Sequence, residues 1–126
     1  MSAKDSVPIK MAKEGIKLVF GTASFQPGPS GTTYDDAMKQ LTVLEEFGVK
    51  TIDTAYIYGD SEVWLGSADA ASRFILDTKH PGGASQEHAT EQEVVEKAQK
   101  SLERLKTGSV SSVLCVCFLI LDGGKM

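Results

Sequence analysis

The chain has 126 residues, of which 41% are apolar and 24% charged, and its formal net charge is −4 at pH 7. This length allows one domain of ordinary size or a part of a larger one, and the composition is that of a globular chain, not a disordered one. The acidic balance leaves no basic patch for nucleic acid or anionic lipid, so neither is expected as a partner.

The chain opens with a polar, lysine-bearing segment, residues 1–16, which lacks the apolar core that a secretory signal requires. The longest apolar run, residues 113–121, has nine residues, against the ~20 that cross a bilayer. The two cysteines, Cys115 and Cys117, are too few and too close for a disulfide framework, and no other Cys or well-placed His completes a metal site. We therefore expect a cytoplasmic protein with neither a metal site nor a membrane partner.

From residue 17 onward, short apolar runs alternate with longer amphipathic segments. Residues 18–20 predict a buried strand. A Gly/Pro-rich loop at 27–31 follows, and Thr32 or Thr33 is then expected to open a helix. The apolar face of this helix follows 3.6-residue spacing through Ala37, Leu41, Leu44 and Gly48, and the glycine is well placed to end it.

Two further strands are predicted, and each ends near a charged residue. Residues 49–55 form the second strand and carry Asp53 at its end. Residues 74–79 form the third strand and end on Lys79. Between these strands, Ser61 is expected to cap a short helix.

The last predicted helix begins at a capping box, in which Thr90 and Glu93 satisfy each other's backbone amides. It runs to about Lys106, and its buried stripe is formed by Val94, Ala98, Leu102 and Leu105. Residues 113–121 then predict a fourth strand. Buried strands that alternate with helices indicate a parallel α/β sheet with right-handed crossovers, and periodicity alone fits a barrel and an open doubly wound sheet equally well.

In an α/β fold, functional side chains gather at the carboxyl ends of the strands, where Asp53, Tyr58 and Lys79 are predicted to meet. A tyrosine phenol, with an unperturbed pKa near ~10, becomes a usable proton donor near neutrality when a cation stabilises its phenolate. Lys79 can supply that cation, and Asp53 can hold the lysine charged and oriented. Such a phenol can protonate a carbonyl oxygen while hydride, which no side chain supplies, arrives from a cofactor.

Each of these residues also has a plainer interpretation. Taken alone, Asp53 could cap the following turn, Tyr58 could be a half-buried aromatic residue and Lys79 a solvated loop lysine. Their combination, in order and at successive strand ends, favours the catalytic interpretation. An open-sheet nucleotide binder is disfavoured because no G-x-G-x-x-G follows the first strand. We interpret His80 and His88 as surface residues.

One segment resembles the signature of the aldo-keto reductases, which are NADPH-dependent enzymes built on a (β/α)8 TIM barrel: Asp53-Thr54-Ala55-Tyr56-Ile57-Tyr58-Gly59, followed by Glu62 and Leu65-Gly66. The likeness covers residues 17–107, and the start at 18–22 looks most like the aflatoxin-aldehyde reductase branch. It implies parallel βα units that form the first half of the barrel, truncated, because the chain has about half the length that a barrel requires.

The resemblance implies an oxidoreductase that reduces aldehydes and ketones to alcohols with NADPH, so a small carbonyl compound is the expected substrate. Tyr58 would be the catalytic acid, supported by Asp53 and Lys79. Gly21 and Thr22 would line the nicotinamide end of the cofactor pocket together with Asp53.

Residues 108–126 depart from the family pattern and form a divergent apolar tail. The histidine that ends the family's fourth strand and the half that binds the cofactor phosphates are missing. A second hypothesis is therefore a catalytically inactive fragment that acts only by associating with another chain, or a truncated gene product without function. Half a barrel exposes two sheet edges, through which we expect self-association.

Overall fold

The computed structural model describes residues 17–81 and 89–115, which form four parallel strands that alternate with helices. In chain order the elements are β1 (Val19–Gly21), α1 (Tyr34–Glu46), β2 (Thr51–Asp53), α2 (Ser61–Ser67), α3 (Ala70–Arg73), β3 (Ile75–His80), α4 (Glu91–Leu105) and β4 (Ser112–Cys115). Each strand pairs in parallel with the next one in sequence, giving the order β1-β2-β3-β4. This is the order of a barrel, because a doubly wound sheet reverses its strand order at a switch point.

Helix α1 begins and ends as its sequence predicts. The hydroxyl of Thr33 accepts a hydrogen bond from the backbone amide of Asp36 at 3.1 Å, which caps the first turn. At the other end, Gly48 adopts a φ of +76°, and its amide and that of Val49 donate to carbonyls of the last turn at 3.1 and 2.9 Å. This is the glycine-terminated helix end in which a left-handed residue satisfies the free carbonyls.

Helix α4 has the predicted capping box, but its buried stripe is shorter than predicted. The Thr90 hydroxyl accepts from the Glu93 amide, and the Glu93 carboxylate accepts from the Thr90 amide. Leu105 is fully buried, whereas Val94 is 37% exposed. The helix packs on α2 through its C-terminal turn, so its first turns have less to pack against.

The start of α2 differs from the prediction. Asp60, not Ser61, is the N-cap, and it makes no side-chain cap hydrogen bond. Ser61 is instead the first helical residue, and its hydroxyl is buried because it bonds to Thr22 and Thr54. A further helical turn, α3, was not predicted, since four residues are too few to show a period.

The helices cover one face of the sheet and leave the other open. The core on the covered face consists of Phe25, Ala37, Leu41, Ile52, Leu65, Ala70, Phe74, Leu76 and Leu105. Along β3, the buried residues alternate with more exposed ones, so Leu76 and His80 point toward the helices and Ile75 and Lys79 toward the open face.

This open face corrects two predictions. The first strand was predicted to be buried, yet Val19 is 47% exposed, because β1 lies at the sheet edge with one face uncovered. His80 was predicted to lie at the surface, yet it is only 3% exposed, because strand alternation turns it toward the helix side. Residues 1–16, His88, Cys117 and the predicted strand beyond Cys115 lie outside the described residues.

Within residues 17–81 and 89–115, no helix combines the length and the apolarity that a bilayer-spanning segment needs. The longest of them, α4, has 15 residues.

Candidate active site

A row of small and polar residues crosses the open face of the sheet at the carboxyl ends of β1 and β2. Gly21 lies beside Asp53, Asp53 beside Asp77, and Asp77 beside Ser112, each pair in register between neighbouring strands. The side chains of one register row point to the same face of a parallel sheet. The two carboxylates therefore lie on one face, with Asp53 at the carboxyl end of β2, where α/β enzymes place their reactive groups, and Asp77 in the middle of β3.

Lys79 reaches across from β3 to the end of β2. Its ammonium donates to the carboxylate Oδ2 of Asp53 and, at 3.0 Å, to the backbone carbonyl of Thr54. The side chains of Lys79 and Asp53 are 16% and 27% exposed, so the ion pair is partly screened from water. Charge-assisted hydrogen bonds of this kind are directional, so they fix the position of the lysine ammonium.

Tyr58 lies in the loop that joins β2 to α2, next to this ion pair. The Lys79 ammonium is 5.0 Å from the centroid of the Tyr58 ring, within the range of a cation–π contact. The backbone of Tyr58 is held in a tight turn. The Tyr58 amide donates to the carbonyl of Ala55 at 3.1 Å, and the Tyr58 carbonyl accepts from the amide of Ser61 at 2.9 Å. The structure thus brings Asp53, Tyr58 and Lys79 together.

Gly21 and Thr22, the two residues predicted to line the cofactor pocket, have different surroundings. Gly21 is exposed, and a Cβ placed on it would meet no atom within 4 Å, so there is open space beside Asp53. Thr22 is fully buried, and its hydroxyl donates to the carbonyl of Asp53 at 3.1 Å. Gly21 therefore borders open space, while Thr22 holds the end of β2 through its hydrogen bond to the Asp53 carbonyl.

A buried chain of three hydroxyls lies under the site and was not predicted. The hydroxyl of Ser61 donates to that of Thr22 at 2.7 Å, and the hydroxyls of Thr54 and Ser61 are 2.8 Å apart. Each hydroxyl has one proton, so the order runs from Thr54 to Ser61 to Thr22 and ends on the Asp53 carbonyl. This chain ties the ends of β1 and β2 to the first turn of α2.

A buried carboxylate, Glu62, forms a second unpredicted network behind the site. It is 1% exposed, and its two oxygens accept from the Thr78 hydroxyl at 2.7 Å and from the Arg104 guanidinium at 3.4 Å. Arg104 also donates to the carbonyl of Tyr56 at 3.3 Å. The presence of Glu62 in the signature segment was the one sequence signal for this network, since nothing local marks Arg104 or Thr78.

His80 follows Lys79 directly but faces the other side of the sheet. Burial lowers the pKa of its imidazole below 6.5, the nearby charge of Lys97 lowers it further, and Glu93 raises it. Among the described residues, no three His, Cys, Asp or Glu side chains lie close enough together to hold a metal ion.

Comparison with known proteins points to one family of oxidoreductases. The model of the aldo/keto reductase family matches residues 17–117, and so enters the segment that begins at residue 108. A curated relative, the oxidoreductase sirO of Leptosphaeria maculans, is 40% identical over 76 residues, which cover 52% of this chain and 22% of that protein.

Solved structures share the fold. A protein of Pseudomonas aeruginosa designated an aldo-keto reductase aligns with a TM-score of 0.66 and 25% identity, over 77% of this chain and 40% of that one. A thermostable aldo-keto reductase solved with the inhibitor epalrestat aligns with a TM-score of 0.63 and 20% identity, over 77% and 37% of the two chains. The chain thus spans about two-fifths of the solved structures and about a fifth of the curated relative.

Proposed function

The chain belongs to the aldo/keto reductase family, and from this premise we propose that it reduces small aldehydes and ketones to alcohols with NADPH. The observation that supports the proposal is the position of Lys79, whose ammonium is paired with Asp53 and lies 5.0 Å from the ring centroid of Tyr58. A phenol beside a fixed cation is a suitable proton donor for a carbonyl oxygen.

In this proposal each of the three residues has a separate task. Tyr58 donates its phenolic proton to the oxygen of the carbonyl substrate. Lys79 stabilises the negative charge that is left on the phenol oxygen, and Asp53 keeps the lysine ammonium in place. The loop carbonyl of Thr54, which also binds the Lys79 ammonium, limits the directions that the lysine can take.

The described residues fit the nicotinamide end of the cofactor. Gly21 leaves open space beside Asp53, which a flat ring could enter without meeting a side chain. When bound, NADPH would supply the hydride that the substrate carbon receives. Lys79 is already ion-paired with Asp53, so in this proposal it acts at the reaction site and does not bind the phosphates of the cofactor.

The finer assignments are also proposals. The sequence of residues 18–22 supports the aflatoxin-aldehyde reductase branch of the family. The acidic composition disfavours nucleic acid and anionic membranes as partners, and the few cysteines support a cytoplasmic location. The open sheet edges support self-association.

The first test is NADPH binding by the purified chain, followed by cofactor fluorescence. Saturable binding, followed by turnover of small aldehydes, would support the proposal, and a folded chain that does not bind NADPH would refute it. Tyr58→Phe should then abolish turnover without loss of NADPH binding, since it removes only the phenolic oxygen. Tyr34→Phe is the matched control, because Tyr34 lies on α1 and bonds Ser67 at 2.8 Å, away from Lys79.

A further inference from the structure

A guanidinium on α4 reaches the loop that carries Tyr58. Arg104 donates to the carbonyl of Tyr56 at 3.3 Å, and its Cζ atom lies 4.3 Å from the centroid of the Tyr56 ring. A planar guanidinium that stacks on a ring and bonds the same residue's carbonyl fixes both the side chain and the backbone of that residue. The contact is made two residues before Tyr58.

The same guanidinium is fixed from behind by a carboxylate that also binds β3. Glu62 is 1% exposed and accepts from Arg104 with one oxygen and from the Thr78 hydroxyl with the other. Thr78 precedes Lys79 in the strand. A buried carboxylate is tolerated only when both of its oxygens have partners, so the three side chains depend on one another.

The two halves of the site are also joined through the backbone. The amide of Tyr56 donates to the carbonyl of Lys79 at 3.1 Å. The loop with Tyr58 and the strand with Lys79 are therefore connected directly at Tyr56 and indirectly through Glu62 and Arg104. Loss of the guanidinium would free the ring and the carbonyl of Tyr56, and the loop would then be held to β3 only before Tyr56 and at its amide.

We propose that Arg104, held by Glu62, is a positioning residue that sets the distance between the Tyr58 phenol and the Lys79 ammonium. Arg104 acts through Tyr56 and has no contact with the reacting groups. Its effect on turnover rests on the proposed function, whereas its effect on the geometry of Tyr58 does not.

The geometry can be measured without turnover. The chain has three tyrosines, so the double substitution Tyr34→Phe and Tyr56→Phe leaves Tyr58 as its single tyrosine and keeps the ring at position 56. With ¹³C-labelled tyrosine, the NMR ring signals then come from Tyr58 alone. In this parent, Lys79→Met shows how far those signals move when the ammonium is removed.

Arg104→Met should move the Tyr58 signals at least halfway toward their positions in the Lys79→Met variant. Glu62→Gln should move them in the same direction by less, because the amide keeps an acceptor for Thr78. The control is Arg73→Met. Arg73 is also 27% exposed, ion-paired with a carboxylate and placed over an aromatic ring, but it lies at the amino end of β3.

Unmoved Tyr58 signals in a folded Arg104→Met variant would overturn the proposal, as would an equal shift in Arg73→Met. If Arg104→Met does not fold, the Tyr58 signals of the Glu62→Gln variant decide the role of Arg104, and unmoved signals in that variant would overturn the proposal. With NADPH and an aldehyde, Arg104→Met should lower kcat about ten- to a hundredfold, because small displacements of reacting groups cost that much, and should leave the NADPH affinity unchanged. A parent chain without turnover would refute the proposed function, and the NMR shifts would still decide the role of Arg104.

Discussion

Asp53 and Asp77 lie side by side in one register row of the sheet, yet they bind different partners. Asp53 accepts from the Lys79 ammonium, while Asp77 accepts from the Ser112 hydroxyl at 2.8 Å. Two acids of one type, on neighbouring strands and on one face, are thus divided between the candidate site and the pairing of β3 with β4. This division makes them a matched pair for mutagenesis.

Asp53→Asn should lower kcat/KM for carbonyl reduction about ten- to a hundredfold, because a neutral amide cannot hold the Lys79 ammonium as a carboxylate does. Asp77→Asn should have less than about a threefold effect, since an amide oxygen can still accept from Ser112. Steady-state kinetics on both variants, with NADPH titrations to separate binding from turnover, test the difference. Equal losses in the two variants would contradict the separate roles.

The free energy of unfolding should depend on pH through His80. Burial and the charge of Lys97 lower the pKa of this imidazole below 6.5 in the folded protein. The unfolded chain therefore binds a proton at a higher pH than the folded one, so stability is complete above about pH 6.5 and falls as the pH decreases toward the folded-state pKa. Urea unfolding at about pH 7.5 and about pH 5.5 measures this fall.

His80→Gln should reduce the difference in unfolding free energy between these two pH values, because the glutamine does not titrate. A His80→Gln variant that keeps the full pH dependence would show that other groups cause it.

Gly66→Ala should destabilise the fold, although alanine is the better helix former. A Cβ at position 66 would lie 2.0 Å from the backbone oxygen of Arg104, so α2 and α4 would have to move apart. Overpacking of this kind costs about 1–3 kcal/mol or more, against about 1 kcal/mol gained from helix propensity. Gly108→Ala, where a Cβ would meet nothing within 4 Å, is the control for urea unfolding. A more stable Gly66→Ala variant would mean that the two helices separate without loss.

We expect the chain to self-associate as its concentration rises. Val19, Ile75 and Leu114 are each about half exposed on the open face of the sheet, and within residues 17–81 and 89–115 no further strand pairs with β1 or β4 at its outer edge. Ile75→Lys should weaken the association, because a charge in a buried contact is costly. Val95→Lys, at an equally exposed position on α4, should not. Sedimentation velocity over a concentration series measures both variants, and a monomeric parent at every concentration would refute the expectation.

The parts of the fold that depend on neighbouring residues could be predicted from the sequence. The Thr33 cap, the Gly48 terminator and the capping box of Thr90 with Glu93 are all made within one helical turn. The alternation of strands and helices follows from periodicity, which also placed Asp53 and Lys79 at strand ends. The expectation that they approach Tyr58 required only that neighbouring parallel strands end on one side.

The remaining features depend on residues far apart in the sequence. Glu62 and Arg104 are 42 positions apart, and Ser61 and Thr22 are 39 apart, so no local pattern links them. Ser61 has the side chain of a good cap, and only its contacts with Thr22 and Thr54 show that the hydroxyl is used elsewhere. The burial of His80 likewise depends on which face of the sheet the helices cover.

The alternation along β3 also protects the site against misalignment during folding. A slip of this strand by one residue against β2 would exchange the faces of Lys79 and His80, so the ammonium would enter the helix-side core and the imidazole would face Asp53. The Thr78 hydroxyl would at the same time leave Glu62, which would remain buried without that partner. A slipped strand would therefore separate the Lys79 ammonium from Asp53 and leave one oxygen of the buried Glu62 without its hydroxyl partner, and the sequence of β3 selects the one alignment that avoids both.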